Sequence, residues 1–253
     1  MSWYQSDLQY TSPEPYVPPT WADGTDEEIA TALQKHYDGE IDLTEYWSVG
    51  DERVISLNYV DPNEDTTETG QGIASQDMTL ILTNAGGKYL EDGTTECAFQ
   101  VDFKTRLILS QYNDLIKWNL SSNASWASCT LRSWIRLMLP KAMTSSTLSL
   151  FKPFKNEYRN AKTLKTIVET FSIRSESEVF DSVTYGMVEG SQASFYTNSA
   201  NRSISGKSDT WMRSRYQGTN TYNVVMWKSD GNRTINNNPP QTANCCVLPF
   251  GVI

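Results

Sequence analysis

Glu176 and Glu178, two carboxylates two residues apart, are the candidate pair for acid–base chemistry in this 253-residue chain. Glycoside cleavage needs two carboxyls about 5–9 Å apart. An i, i+2 spacing puts both on one face of a strand but separates them on a helix. The flanking Val179 and Phe180 read as buried structure, which makes a carboxylate-dependent glycan hydrolase the lesser alternative. A nucleophilic triad has less to draw on, because the single histidine, His36, sits beside Lys35 on the exposed side of an expected helix. Cys97, Cys129, Cys245 and Cys246 show no CxxC spacing, and one histidine leaves too few ligands for structural zinc. The thiols read as reduced, small buried hydrophobes. No catalytic residue, cofactor or metal is expected.

Recognition chemistry is better supplied. Between Tyr216 and Cys246 stand seven asparagines, Asn220, Asn223, Asn232, Asn236, Asn237, Asn238 and Asn244, with Tyr216, Tyr222, Trp227 and Arg233 among them. Asparagine favours turns and left-handed backbone, so the segment reads as loop-rich surface. Rigid rings beside short polar groups are also the chemistry of adaptable binding loops. Residues 216–246 are therefore read as a recognition segment, with plain solvated loop as the rival. Its candidate ligand contacts are Tyr216, Asn220, Tyr222, Asn223, Asn232, Arg233, Asn236, Asn237, Asn238 and Asn244. A second candidate surface lies at the other end, where Trp3, Tyr4, Tyr10, Tyr16 and Trp21 alternate with Pro13, Pro15, Pro18 and Pro19. Proline removes backbone donors and favours extended chain. Aromatics on such an arm need a cover, which suggests docking on a partner subunit; docking on its own body is the rival.

Charge separates the two ends. Of the net −9, residues 1–70 hold 16 Asp or Glu against only Lys35 and Arg53, while the rest of the chain holds 14 acidic and 19 basic residues. An acidic arm does not suit nucleic acid, whose phosphates are met by clustered Lys and Arg. It suits a protein partner, or simply solubility. No run approaches the ~20 apolar residues of a membrane span. Met1–Tyr10 also lacks the basic and apolar regions of a signal peptide, so synthesis in a cytoplasm and no membrane partner are expected.

The elements that must position these residues are partly legible. Thr25-Asp26-Glu27-Glu28 has the form of a capping box. Ile29, Leu33 and Tyr37 then share a face and Gly39 supplies a left-handed stop, which predicts a helix over 26–38. Val54–Leu57 and Met78–Leu82 read as strands, the second central, around a polar loop at 61–72. Leu131, Trp134, Ile135 and Met138 form the stripe of a helix within 128–139 that Pro140 ends. Short strands are expected at 165–173, 195–196, 222–227 and 246–252. The mix is α+β, with an acidic arm and helix at 1–45 and one main domain at 46–253.

Six stretches bring a resemblance. They are Ser125-Trp126-Ala127-Ser128-Cys129-Thr130-Leu131-Arg132-Ser133-Trp134, Ser175-Glu176-Ser177-Glu178-Val179-Phe180, Glu189-Gly190-Ser191-Gln192, Asn201-Arg202, Trp211-Met212-Arg213-Ser214 and Leu248-Pro249-Phe250-Gly251-Val252-Ile253. In order and spacing, over roughly residues 45–253, the chain resembles a family of phage and prophage structural proteins from gut Firmicutes. That family is similar to C-type-lectin-like domains, which include formylglycine-generating enzymes and variable receptor-binding proteins of phages. The resemblance implies a C-type-lectin-like domain in which Trp211 and Phe250 anchor the loops and Arg213 bonds loop carbonyls rather than reacting. It departs from the pattern at Thr210, where relatives carry a second aromatic. The adjacent Cys245 and Cys246 do not match the reactive cysteine pair of the enzyme branch. Glu-Pro-Asn and Trp-Asn-Asp signatures are lacking, so calcium is not expected.

What the resemblance implies is a non-enzymatic virion protein, made in the host bacterial cytoplasm, that joins other virion proteins through its arm. It would meet a host-surface glycan or protein through its C-terminal loops, as a homo-oligomer, by analogy a trimer. Capsid or tail decoration without a receptor is the alternative, and a bacterial surface adhesin would need export. Replacing Asn236, Asn237 and Asn238 together is expected to alter adsorption to host cells while leaving the thermal midpoint almost unchanged; loss of folding would instead make the segment structural.

Overall fold

Helix α1, Asp26–Tyr37, begins where its capping box predicts: the Thr25 hydroxyl accepts from the Glu28 amide, and the Glu28 carboxylate accepts from the Thr25 amide. Gly39 follows with a φ of +74°, which a Cβ would strain. The computed structural model describes residues 14–111, 115–119, 125–160, 163–180, 182–203, 209–216, 223–235 and 244–253. Ile29, Ala32 and Leu33 of α1 enter the same apolar core as the rest of the chain. Asp26 is bonded by Arg53 and by the Thr147 hydroxyl, and the Trp47 indole donates to the Pro19 carbonyl at 2.8 Å. The described part of 1–45 is thus built into the body. Helix α1 buries its apolar stripe in the core it shares with the elements after residue 45.

The central sheet has five antiparallel strands in the order β1, β2, β3, β12, β7. They are β1 Glu52–Leu57, β2 Gln76–Ala85, β3 Phe99–Phe103, β12 Pro249–Val252 and β7 Phe171–Ile173. β1 alternates exposed and buried residues as an edge strand should, whereas β3, β7 and β12 are buried along their whole length. The last strand of the chain therefore lies inside the sheet. Gly251, on β12, has no room for a side chain, since a Cβ there would meet the Phe151 ring at 2.7 Å.

Smaller units surround this sheet. β4 Ile116–Lys117 pairs with β11 Asn244–Cys245, β5 Phe154–Asn160 pairs with β6 Thr163–Glu169, and β8 Thr210–Arg215, β9 Val224–Trp227 and β10 Arg233–Ile235 form a three-stranded sheet. Helices α2 Thr130–Ala142, α3 Ser145–Leu150 and α4 Glu176–Val179 complete the α+β architecture. No helix among the described residues is long and apolar enough to cross a membrane.

Four local expectations need correction. Pro140 lies inside α2, not at its end. It sits in the last turn, and its carbonyl accepts from the Met143 amide that caps the helix. Phe195–Tyr196 belongs to a 3-10 turn, Ser194–Thr197, whose Tyr196 amide is held by the Ala193 carbonyl. The expected strand at 165–173 is two strands in different sheets, β6 and β7, parted at Thr170. The expected strand at 246–252 is shorter: β12 spans only Pro249–Val252, and Cys246 makes an isolated bridge to Thr210.

Tryptophans staple the irregular segments to the core. The indoles of Trp118, Trp134 and Trp211 are fully buried and donate to the carbonyls of Met212, Gln71 and Ile116. Each bond lets a large apolar body be buried without stranding its polar N–H. Trp211, on β8, thereby ties the three-stranded sheet to β4. The Trp211→Ala variant is expected to lose about 3–5 kcal/mol of stability, the cost typical of truncating a large buried aromatic. Urea denaturation checks this, and an unchanged midpoint would contradict the anchoring role.

Candidate binding site

Arg213, on β8, is fully buried and has no water to solvate its charge. Its guanidinium donates to the carbonyls of Glu157, Ile173 and Glu189 at 2.7–2.9 Å and to the Glu178 carboxylate at 2.6 Å. It joins β5, β7, α4 and the segment after α4 through one planar group, as a fork of five N–H donors can. The expected hub role is what this geometry describes.

Around Arg213 the interior is ionic. Glu178 also takes the ammonium of Lys88, which bonds the Asn156 carboxamide at 3.0 Å; Asn156 in turn donates to Glu169 at 2.6 Å. Glu169 accepts from Arg132 at 2.9 Å and from the Trp126 indole. A second cluster sets Arg174 against Asp102, Gln100 and Thr83, with the Tyr196 hydroxyl on Asp102 at 2.6 Å. Burial alone would raise the Glu178 carboxyl, but Arg213 and Lys88 reverse this and hold it well below the usual carboxylate range. Burial pushes the Tyr196 phenol well above its ordinary value, and Asp102 adds to the effect. Burial also raises the Glu189 carboxyl despite Arg213. The thiols are free and buried, with Cys97 pushed up to about 12. No group of three metal-ligating side chains occurs among the described residues.

Glu176 and Glu178, the pair considered for hydrolysis, lie on α4 rather than on a strand, and both are fully buried. Glu176 accepts from the amides of Thr184, Tyr185 and Gly186 and faces Arg233 at 3.2 Å. Every described hydrogen bond to these carboxylates comes from a donor that fixes them in place. His36 is half-buried, and its Nδ1 accepts from the Leu43 amide at 3.3 Å.

The recognition candidates divide. Asn232 is exposed and Arg233 half-buried, and both line a cleft of about 580 Å3 with Phe180, Tyr185, Arg202 and Asp230. Tyr216 is half-buried, with its ring 6.4 Å from that of Tyr185. Asn223 is buried, and its backbone carbonyl accepts from the Tyr216 amide. Asn220, Tyr222, Asn236, Asn237 and Asn238 lie outside the described residues, as does the Asn244 side chain. Of the docking candidates, Trp3, Tyr4 and Tyr10 also lie outside them. Trp21 is corrected: it is buried by its own chain, 5.6 Å from Trp47 and under the Arg53 guanidinium. Tyr16 packs beneath Lys35 of α1, so it too meets its own body.

Sequence reading missed Arg202, Phe180 and Tyr185 as parts of the cleft. They precede the Asn-rich segment, and only the tertiary fold brings them to it. Against known proteins, no family model, curated protein or solved structure matches the chain. The fold and cleft define an antiparallel α+β domain with a polar, partly cationic cleft.

Breaking a buried ion pair from one side leaves an uncompensated charge. Glu178→Gln is therefore expected to cost about 3–5 kcal/mol at pH 7. Because the folded pKa of Glu178 is below its unfolded value, its contribution is complete above about pH 4.5 and is lost as the pH falls below that. The gap in urea midpoint between wild type and variant should narrow on acidification through this range; a gap independent of pH would deny the carboxylate its role.

Proposed function

We propose that this chain is a non-enzymatic virion protein of a bacterial virus, with a C-type-lectin-like domain that attaches to a host-surface glycan or protein. The observation that carries the reading is the chain's last strand, β12, seated between β3 and β7. A C-terminal strand locked into the sheet lets the preceding loops vary at the surface while their base stays fixed. The resemblance supplies the virion, and the cleft at Asn232 and Arg233 supplies a surface with polar and aromatic groups for a ligand. The saturation of Glu176 and Glu178 by fixed donors supports binding over hydrolysis. Docking on other virion proteins falls to residues 1–13, and assembly into a homo-oligomer, a trimer by analogy, would multiply weak loop contacts.

A cryo-EM map of the intact particle tests this. The cleft and residues 216–246 are expected to face outward at a tail tip or fibre end. Burial of that face between virion subunits would remove the attachment reading and leave decoration or assembly.

A further inference from the structure

Arg202 ends the second 3-10 turn after α4, Ser199–Arg202, and several groups fix its place. The Trp227 indole donates to its carbonyl at 2.7 Å, and the turn at Gly231 packs on its backbone. Its own Nε donates to the Tyr196 carbonyl at 2.8 Å, and its guanidinium lies 5.5 Å from the centre of the Phe180 ring. Arg233 approaches the same ring at 4.5 Å from the other segment of the cleft.

The two cations differ in what they have left to give. Arg233 is occupied through Glu176, the Ser182 carbonyl and hydroxyl, and the Thr184 hydroxyl. Arg202 spends only Nε. Among the described residues its two terminal nitrogens have no hydrogen-bond or ion-pair partner, although the side chain is only half-exposed. Asp230, the acid on the cleft, is already engaged by the Asn232 amide and by Lys228 at 3.3 Å. A guanidinium held in orientation, with its two terminal nitrogens unpartnered among the described residues, is matched by a two-oxygen anion. The half-buried Tyr185 ring and the exposed Asn232 and Asp230 add a stacking face and partners for hydroxyls. The cleft volume of about 580 Å3 is within the ordinary range of small-ligand sites.

We propose that the cleft between Phe180 and Asn232 binds an acidic saccharide, with Arg202 taking the anionic group, a carboxylate or a phosphate ester, and the Tyr185 and Asn232 rim taking the sugar or polyol. The inference rests on the binding role proposed above and adds the chemical class of the ligand.

Calorimetric titration of the purified full chain tests it with three probes: methyl glucuronide, glycerol 1-phosphate and neutral methyl glucoside. At least one acidic probe is expected to bind about tenfold or more tightly than methyl glucoside, equivalent to about 1.4 kcal/mol. The acidic probe preferred identifies carboxylate or phosphate as the anion. The affinity should fall as salt is raised. Arg202→Gln should erase the preference, whereas Arg202→Lys, which keeps the charge without the fork, should retain part of it. Because Arg202 also holds a loop carbonyl, Ser199→Asp, at an exposed cleft residue to which no ligand contact is assigned, gives an independent check: an added charge should weaken the acidic probe and spare the neutral one. Equal affinity for acidic and neutral probes, no saturable binding of any probe, or an Arg202→Gln variant that keeps the preference would each overturn the proposal. Adsorption of the same proteins to host cells separates the two readings. Undiminished adsorption by Arg202→Gln refutes the acidic ligand and leaves attachment standing, while a wild-type chain that adsorbs to no host cell refutes attachment itself.

Discussion

The guanidinium of Arg213 must stay charged in a part of the interior that water does not reach. An isolated ion there would cost many kcal/mol, so the surrounding chain has to bring a counter-charge and enough oxygen atoms to occupy its donors. Four segments distant in sequence do so: β5 through Glu157, β7 through Ile173, α4 through Glu178 and the stretch ending at Gly190 through the Glu189 carbonyl. Once those segments are committed, further charges are drawn in. Lys88 balances the second oxygen of Glu178, and Asn156 links Lys88 to the Glu169–Arg132 pair. A network of this kind is worth less in net stability than in uniqueness, because a half-satisfied arrangement is far worse than the full one. It fixes which loop lies where.

The same network reaches the cleft. Ser214, next to Arg213, donates to Glu189 and accepts from the Glu176 amide; the Glu176 carboxylate gathers the amides of residues 184–186 and the side chain of Arg233. The cleft floor is therefore an extension of the buried hub rather than a separate loop structure. The rim residues Asn232 and Asp230 are exposed, and their contacts are local to a short turn. Outward from Arg213, bonds between distant segments give way to bonds within one turn, so substitutions at the rim disturb less of the fold than substitutions beneath it.

Much of the local structure was legible because its cause is local. The Thr25–Glu28 capping box and the α2 stripe of Leu131, Trp134, Ile135 and Met138 involve residues within a few positions of one another. The strand around Met78–Leu82 was legible for the same reason. The failures have a different origin. Residues 165–173 form a continuous strand-like run, and only the choice of partners, β5 for one half and β12 for the other, breaks it at Thr170. Trp21 has the composition of a docking residue, yet the surface it docks on is Trp47 and Arg53 of its own chain. Glu176 and Glu178 look like chemistry at i, i+2 spacing. Their donors come from Lys88, the 184–186 turn and Arg213, none of which the local sequence announces.

Arg213 and Arg202 show how one residue type divides between holding a fold and meeting a ligand. Both lie in stretches singled out in the sequence, Asn201-Arg202 and Trp211-Met212-Arg213-Ser214, but only Arg213 is given a role there. The difference is in unspent hydrogen-bond capacity. Arg213 is fully buried and meets three carbonyls and a carboxylate, so a ligand could engage it only by displacing part of the fold. Arg202 is held by one bond and one ring, enough to orient it, while its terminal nitrogens face the cleft region without a partner among the described residues. A cation oriented by the protein and not neutralised by it loses little freedom when an anion arrives, which is the condition for useful affinity from a single contact. In Arg213 the charge organises the interior; in Arg202 the same chemistry is left open at the surface that this interior supports.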